Sequence, residues 1–519
     1  MRARGTIVAV ISALAAGAVV WPVPRALATP RVLDPFEDSA AWTPVPASGV
    51  IMKLSTEPGE TGRALRVDFD FQKGGGYAVL HRELDLALPP NYRFTLRVRG
   101  ASAPQNFEFK LIDASGENVW WKNRRDFVFP GGWETVATRK RQIEFAWGPA
   151  GGGEMQRVAA VEFAITAGSG GKGTVWLDEL TFEELPPPSA TPPPIVTSAA
   201  SVTRGNEAAR AVDGDTATAW RPAAGTGPSW LQLDLGVVRE FGGLVLDWEP
   251  GTLPLEYDVR VATEPGRFRS VRRVLAGNGG RDWLYLPECE ARWIRIETAA
   301  ARGAALREVS LRPIEWSGSL NRFYEAIAKD SPRGHFPRGM GGEMQFWTVV
   351  GAAGGREECF FSEDGAADAG SGRFSVEPFV WMDGRLSTWA DAVTTRSLLE
   401  GDLPIPTVKR RMGPLDLEIT ATPVGEPGAS AVQLTYRLRN RGAAPIAGTL
   451  FLAVRPFQVN PPAQFLNAAG GAVELRSLAL EGSAVEVEGR SALQLLTSAA
   501  AFGAAAFDGG DVVEHLALG

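Results

Sequence analysis

The chain has 519 residues, 53 Lys and Arg against 60 Asp and Glu, and a formal charge of −7; at ~100–200 residues per domain it is too long for one core, and three domains is the natural division. It has no basic field, lysine-rich block or base-stacking motif, which argues against nucleic acid as a partner. With 59 Gly and 37 Pro and few helical stripes, the composition predicts short strands joined by many turns.

Residues 1–28 carry Arg2 and Arg4, an apolar run from Ile7 to Trp21, then Ala26-Leu27-Ala28. These are the parts of a signal peptide, so the mature chain is expected to begin near Thr29 and to be exported, to the periplasm or the extracellular space. The run is shorter than the ~20 residues that span a bilayer, which sets the alternative of a membrane anchor second. No other segment is long and apolar enough to cross. The two cysteines, Cys289 and Cys359, fall in different predicted domains and are expected to be buried and unpaired. His81, His335 and His515 show no metal-ligand spacing, so zinc hydrolysis and a Ser-His-Asp triad lack support.

From 29 to 185, bursts such as ALRVDFDF, YRFTLRVRG, NFEFKLID and TVWLDELTF alternate apolar and polar residues, the period of antiparallel strands packed on one face. The opening Asp34-Pro35-Phe36-Glu37-Asp38, the closing Gly173 to Leu180, the internal GENVWW and PGGWETV, and the FAWG around Trp147 resemble jelly-roll carbohydrate-binding modules. A pyranose stacks its C–H face on an aromatic ring and needs polar partners for its hydroxyls, which makes Tyr77, Trp120, Trp121 and Trp147 the candidate ligand-binding residues. Asn118, Lys122 and Glu108 are candidate polar partners. On a strand Trp120 and Trp121 must point to opposite faces. In the resembled modules the ends that carry Glu37 and Asp178 often meet at a calcium ion, although two carboxylates at strand ends are ordinary. Residues 186–194 are dominated by proline and read as a semi-rigid polyproline spacer.

The stretch Ala208 to Gly236, AARAVDGDTATAWRPAAGTGPSWLQLDLG, runs an acidic glycine-punctuated loop into an alternating strand. With Tyr257-Asp258-Val259, Ala291 to Ile296 and Glu308 to Leu311, it resembles a discoidin domain, also called coagulation-factor type C, over 195–316. The resemblance implies a galactose-binding-like sandwich and a structural Ca²⁺ held by Asp213, Asp215, Thr218 and Glu308. A hard cation wants six or more oxygens, which such a loop supplies; an Asx-type turn without an ion is the other reading. Trp220, Trp230 and Trp293 are expected in the core, while Trp248 and Trp283, flanked by loop residues, are expected to face a ligand beside Arg281 and Asp282.

Residues 317–345 form a bridge in which Phe323, Tyr324 and Ile327 can share one helical face. From 346 to 519 the alternation returns, with Asp383-Gly384 placed as a two-residue hairpin turn. This region resembles the super-sandwich that precedes an (α/α) barrel in glycoside phosphorylases and related hydrolases, which implies a barrel beyond Gly519. Glu343, Glu377, Asp383 and Asp391 have no supporting motif for a pair of catalytic carboxylates, so no active site is assigned. The sequence thus predicts an all-β chain of three β-sandwich domains, two galactose-binding-like jelly rolls and a super-sandwich. Its expected partner is an oligo- or polysaccharide, bound on behalf of a glycoside-processing enzyme. A surface scaffold that binds another protein through its discoidin-like domain is the alternative.

Overall fold

A computed structural model of the chain describes residues 29–72, 74–187, 191–225, 227–250, 255–299, 304–370, 372–462 and 470–519. The signal segment read over 1–28 lies outside them, as do residues 188–190 of the proline spacer. The chain divides between 190 and 191 into two units. Both are built almost wholly of antiparallel strands, and no helix among the described residues is long and apolar enough to cross a membrane.

The first unit contains β1 (Arg31–Asp34), β2 (Thr43–Pro46), β3 (Ile51–Pro58), β4 (Arg63–Asp70), β5 (Tyr77–Ala87), β6 (Tyr92–Ala101), β7 (Gln105–Ile112), β8 (Val119–Phe127), β9 (Glu134–Arg139), β10 (Glu144–Trp147), β11 (Arg157–Thr166) and β12 (Lys172–Glu184). One sheet runs β3-β4-β12-β6-β9, with β1 also on β12, and the other runs β10-β8-β7-β11-β5-β2. Between them lies one core in which Phe94, Phe107, Phe109, Phe163 and Trp42 are buried. The alternation seen in the sequence is what builds it. Along β6, Tyr92, Phe94, Leu96 and Val98 point inward while Arg93, Thr95, Arg97 and Arg99 point out.

The second unit begins with β13 (Val196–Ala199), β14 (Ser229–Trp248), β15 (Leu255–Ala262), β16 (Arg269–Gly277), β17 (Arg281–Thr298) and β18 (Leu306–Arg312). The long strands β14 and β17 pair along both halves, with register breaks near 234–239 and 241–243. Their first pairing region is flanked by β13 and β15 and their second by β18, and the buried residues of the two halves share one core. Next comes α1 (Leu320–Asp330), capped by the Ser319 hydroxyl, which accepts from the Arg322 amide at 3.2 Å. Its Phe323, Tyr324 and Ile327 are buried with Val245 and Trp283 on one side and Phe336 and Phe457 on the other.

The remaining chain forms a six-stranded sheet within 347–455, a four-stranded sheet over 393–440 and a three-stranded sheet over 478–494. Asp383 and Gly384 take positive φ (+52° and +74°) at the turn between strands 375–382 and 385–387, as a tight hairpin requires. A short helix α2 (Val512–Leu516) buries Val513 beside Phe379. Cys289 and Cys359 are buried and unpaired.

Candidate functional site

The outward face of the β10-β8-β7-β11-β5-β2 sheet collects the polar and aromatic residues of the first unit. Strand register places Glu144, Trp121, Lys110, Glu162, His81 and Thr43 in one row across six strands. The next rows bring Asn123 beside Glu108, and Asn106 and Tyr77 beside Thr166. A relay of contacts links them. His81 Nδ1 lies 3.0 Å from Glu162 Oε1, Lys110 Nζ 4.0 Å from Glu162 Oε2 and 3.0 Å from Glu108 Oε2, and the Thr166 hydroxyl donates to Glu108 Oε1 at 3.0 Å.

Trp147 stands over this network. Its ring is 5.4 Å from the Lys110 ammonium and meets the half-buried Trp121 ring edge-on at 5.4 Å, yet 46 % of it stays exposed. Tyr77 is 45 % exposed at the opposite corner of the face, four inter-strand steps across and six residues along the strands from the Trp147 row, or ~28 Å on the diagonal at ~4.8 Å per strand and ~3.3 Å per residue. Asn123 Oδ1 is buried and has no hydrogen-bond partner among the described residues. The face therefore joins exposed ring surface to fixed polar groups, the two elements saccharide binding needs.

Several sequence expectations are corrected by this geometry. Trp120 is 7 % exposed and its Nε1 donates to the Gly153 carbonyl at 2.8 Å; strand parity turns it into the core as it turns Trp121 out. Lys122 shares the parity of Trp120, and the Asn118 side chain is used up in loop bonds to Asp113, Ser115 and the Ala150 amide. Trp248 is 3 % exposed, its Nε1 donating to Asp282 Oδ2 at 2.9 Å. Trp283 is 6 % exposed and stacks on Phe507. Neither faces a ligand: each ends or begins a long strand, and each is covered by packing that sequence alone does not show. Trp220 is fully buried as expected, but Trp230 and Trp293 are half-exposed beneath the guanidinium groups of Arg295 and Arg292, at 4.8 and 4.4 Å. The inward parity of Leu231, Leu233, Ile294 and Ile296 is the signal that would have placed them outward.

The acidic loop of the second unit brings Asp213, Thr218 and Glu308 together. The Thr218 hydroxyl donates to Asp213 Oδ2 at 2.9 Å and lies 3.1 and 3.4 Å from the carbonyls of Asp215 and Arg210. The Gly214 amide donates to Glu308 Oε2 at 3.1 Å. Asp215 turns its carboxylate to the Ala217 amide at 2.9 Å, so its carbonyl is the oxygen nearest the group. Burial pushes the Glu308 carboxyl above its usual range, and the neighbouring Asp213 charge adds to this. Among the described residues no three His, Cys, Asp or Glu side chains gather closely enough to hold a metal on their own; a cation here would use hydroxyl and main-chain oxygens as well.

In the first unit Asp178 is buried, with Oδ2 accepting the Glu60 and Thr61 amides at 3.0 and 3.4 Å and Oδ1 without a partner. Burial raises its carboxyl, and the Glu37 charge acts in the same direction. Gly62 (φ +61°) takes the left-handed backbone that favours glycine, and a Cβ there would sit 1.9 Å from Glu37 Oε1 and displace that carboxylate.

Of the four carboxylates weighed as a catalytic pair, Glu343, Asp391 and Glu377 are engaged by local partners. Glu343 pairs with Arg333 and Arg338, Asp391 accepts from the amide and hydroxyl of the N-cap residue Thr388, Asp383 lies in the hairpin turn, and Glu377 lies buried at 3.1 Å from Arg455.

With the geometry described, comparison with known proteins defines the class of the middle segment. The family model of the F5/8 type C domain matches residues 196–309, and this segment is an F5/8 type C domain. No curated protein matches the chain. Among solved structures, the chain is similar to the family 11 carbohydrate-binding module of the cellulase Lic26A-Cel5E of Clostridium thermocellum, at 15 % identity over 30 % of this chain and 94 % of that one, with a TM-score of 0.26. It is similar to chitosan-binding module 2 of a chitosanase/glucanase from Paenibacillus sp. IK-5, at 26 % identity over 22 % and 95 %, TM-score 0.21. The family 32 module of C. perfringens NanJ follows at 20 % identity over 22 % and 92 %, TM-score 0.21.

Proposed function

We propose that the protein is an exported carbohydrate-binding protein that grips oligo- or polysaccharide on the outward face of the β10-β8-β7-β11-β5-β2 sheet. The observation that carries this reading is the row of six side chains ending under Trp147. One side of the sheet is sealed by the core, and the other keeps exposed rings at two corners with hydrogen-bonding groups fixed between them. Trp147 and Tyr77 are the stacking surfaces, Trp121 the wall behind Trp147, and Glu108, Glu162, His81 and Asn123 the polar contacts. Lys110, nearly buried between two carboxylates and an indole, holds these groups in place. Ordering them in advance lowers the entropic cost of binding.

In this reading calcium is structural. The oxygens of Asp213, Thr218, Glu308, Arg210 and Asp215 suit a hard cation, as do those of Asp178 and Glu37, and each set joins distant strands. Glycan recognition on this face would serve a glycoside-processing enzyme. A glycan array with the whole chain, with and without chelator, tests the reading. Failure to bind any saccharide while the protein remains folded would reject it.

A further inference from the structure

The opposite face of the first unit holds a second aromatic row that the glycan face does not use. Across β4, β12, β6 and the approach to β9, register aligns Arg66, Trp176, Arg99 and Trp133. Cation and ring alternate along it, with guanidinium-to-ring distances of 5.5, 4.4 and 5.0 Å. The two arginines are treated differently. Arg66 is bound by both Glu57 and Asp68, at 2.5 and 2.9 Å, and nearby Arg97 is paired with Glu60. Arg99 has no ion pair or hydrogen bond among the described residues, and its Nε is buried without a partner.

We propose that Arg99, clamped between Trp133 and Trp176, is an anion subsite that takes a sugar-borne oxyanion, the carboxylate of a uronic acid or a sulfate ester, from an acidic polysaccharide. A guanidinium is planar and permanently charged, and it meets an oxyanion through two parallel N–H bonds. Two indoles hold its plane fixed at half-buried depth, so the fork is set before a ligand arrives. The chain lacks an overall basic field, so attraction is local to this row and dies away within a Debye length. Carboxylates were available on neighbouring strands and satisfy Arg66 and Arg97; the vacancy at Arg99 distinguishes it from a structural ion-pair ladder.

The test titrates the whole chain calorimetrically with a tetragalacturonate, its methyl ester and a sulfated chondroitin oligosaccharide, at low and raised NaCl, using wild type, Arg99→Gln and Arg99→Lys. At least one acidic probe is expected to bind wild type, to weaken with salt, to lose about tenfold in affinity in R99Q, and to lose less in R99K. Whichever acid depends on Arg99 identifies the anion as carboxylate or sulfate. Acidic probes that bind R99Q as they bind wild type, or an ester that binds as tightly as its acid with no acidic probe depending on Arg99, would overturn the proposal. If R99Q fails to fold, the R99K titration and the wild-type comparison of acid with ester decide. Neutral glycan binding at Trp147 is scored separately on the same protein, so either site can fail alone.

Discussion

Removing the Trp147 indole should weaken glycan binding at a cost to the fold that is no larger and can be measured separately. The ring is 46 % exposed, and an indole of ~200 Å² leaves ~90 Å² for a sugar face to cover, worth ~2 kcal/mol at ~25 cal/mol per Å². At ~1.4 kcal/mol per tenfold, Trp147→Ala should raise Kd by about 30-fold. The fold loses the edge-on contact with Trp121 and the Lys110 cation contact, together about 1–2 kcal/mol. Trp120→Phe is the control, since it loses the bond to Gly153 and core packing but touches nothing on the outward face. Titration of both variants against a neutral oligosaccharide selected from the array, alongside urea melts, separates the effects. Equal affinity in wild type and W147A, or an equal loss in W120F, would refute the assignment of this face.

Three further outcomes follow from the buried charges. Burial raises the Asp282 carboxyl to about 7, against the bonds donated by Tyr257 and Trp248. The unfolded chain releases this proton near 4 and the folded one near 7, so stability falls as pH rises between those values and levels off above, by about 4 kcal/mol in all. Asp282→Asn should flatten that slope in urea melts across the window, and parallel profiles for the two proteins would count against it. Calcium at about a hundredfold over its Kd should add ~2.7 kcal/mol, seen as a higher Tm that EDTA abolishes and that Asp178→Asn or Asp213→Ala reduces; a Tm indifferent to EDTA rules the ion out. Arg455→Met should cost ~3–5 kcal/mol because Glu377 and Asp511, at 3.1 and 3.2 Å, are left buried and unpaired; a loss below 1 kcal/mol in denaturant melts would contradict this estimate of burial cost.

What the sequence made legible is what local periodicity controls. Alternation located the strands of both units, Asp383-Gly384 announced its hairpin, and the adjacent pair Trp120-Trp121 had to split between core and surface. The F5/8 type C segment was readable from short motifs in order. The candidate site was legible only in part, because its polar row depends on register between distant strands: His81, Lys110 and Glu162 meet only once β5, β7 and β11 are paired. Trp230, Trp248, Trp283 and Trp293 of the second unit were assigned to the wrong sides for a different reason, whereas Trp220 was placed correctly. Trp248 and Trp283 were expected to face a ligand because they are flanked by loop residues, and the buried Asp282 that receives the Trp248 Nε1 bond is of a type usually found in water. Trp230 and Trp293 were placed in the core because they fall within motifs that the resembled family uses for packing, ahead of their parity with Leu231 and Ile294.

The aromatic seam around Phe323 bears on how this molecule can be cut. It draws Val245 and Trp283 from the F5/8 type C strands, Tyr324 from α1, Phe336 from the segment after it, and Phe457 and Phe507 from more than a hundred residues downstream. Expressed alone, residues 196–309 would uncover a greasy flank on β14 and β17 that the intact polypeptide never shows to solvent. Such a fragment should clump or need detergent, and the smallest soluble piece that retains this domain should extend through Phe507.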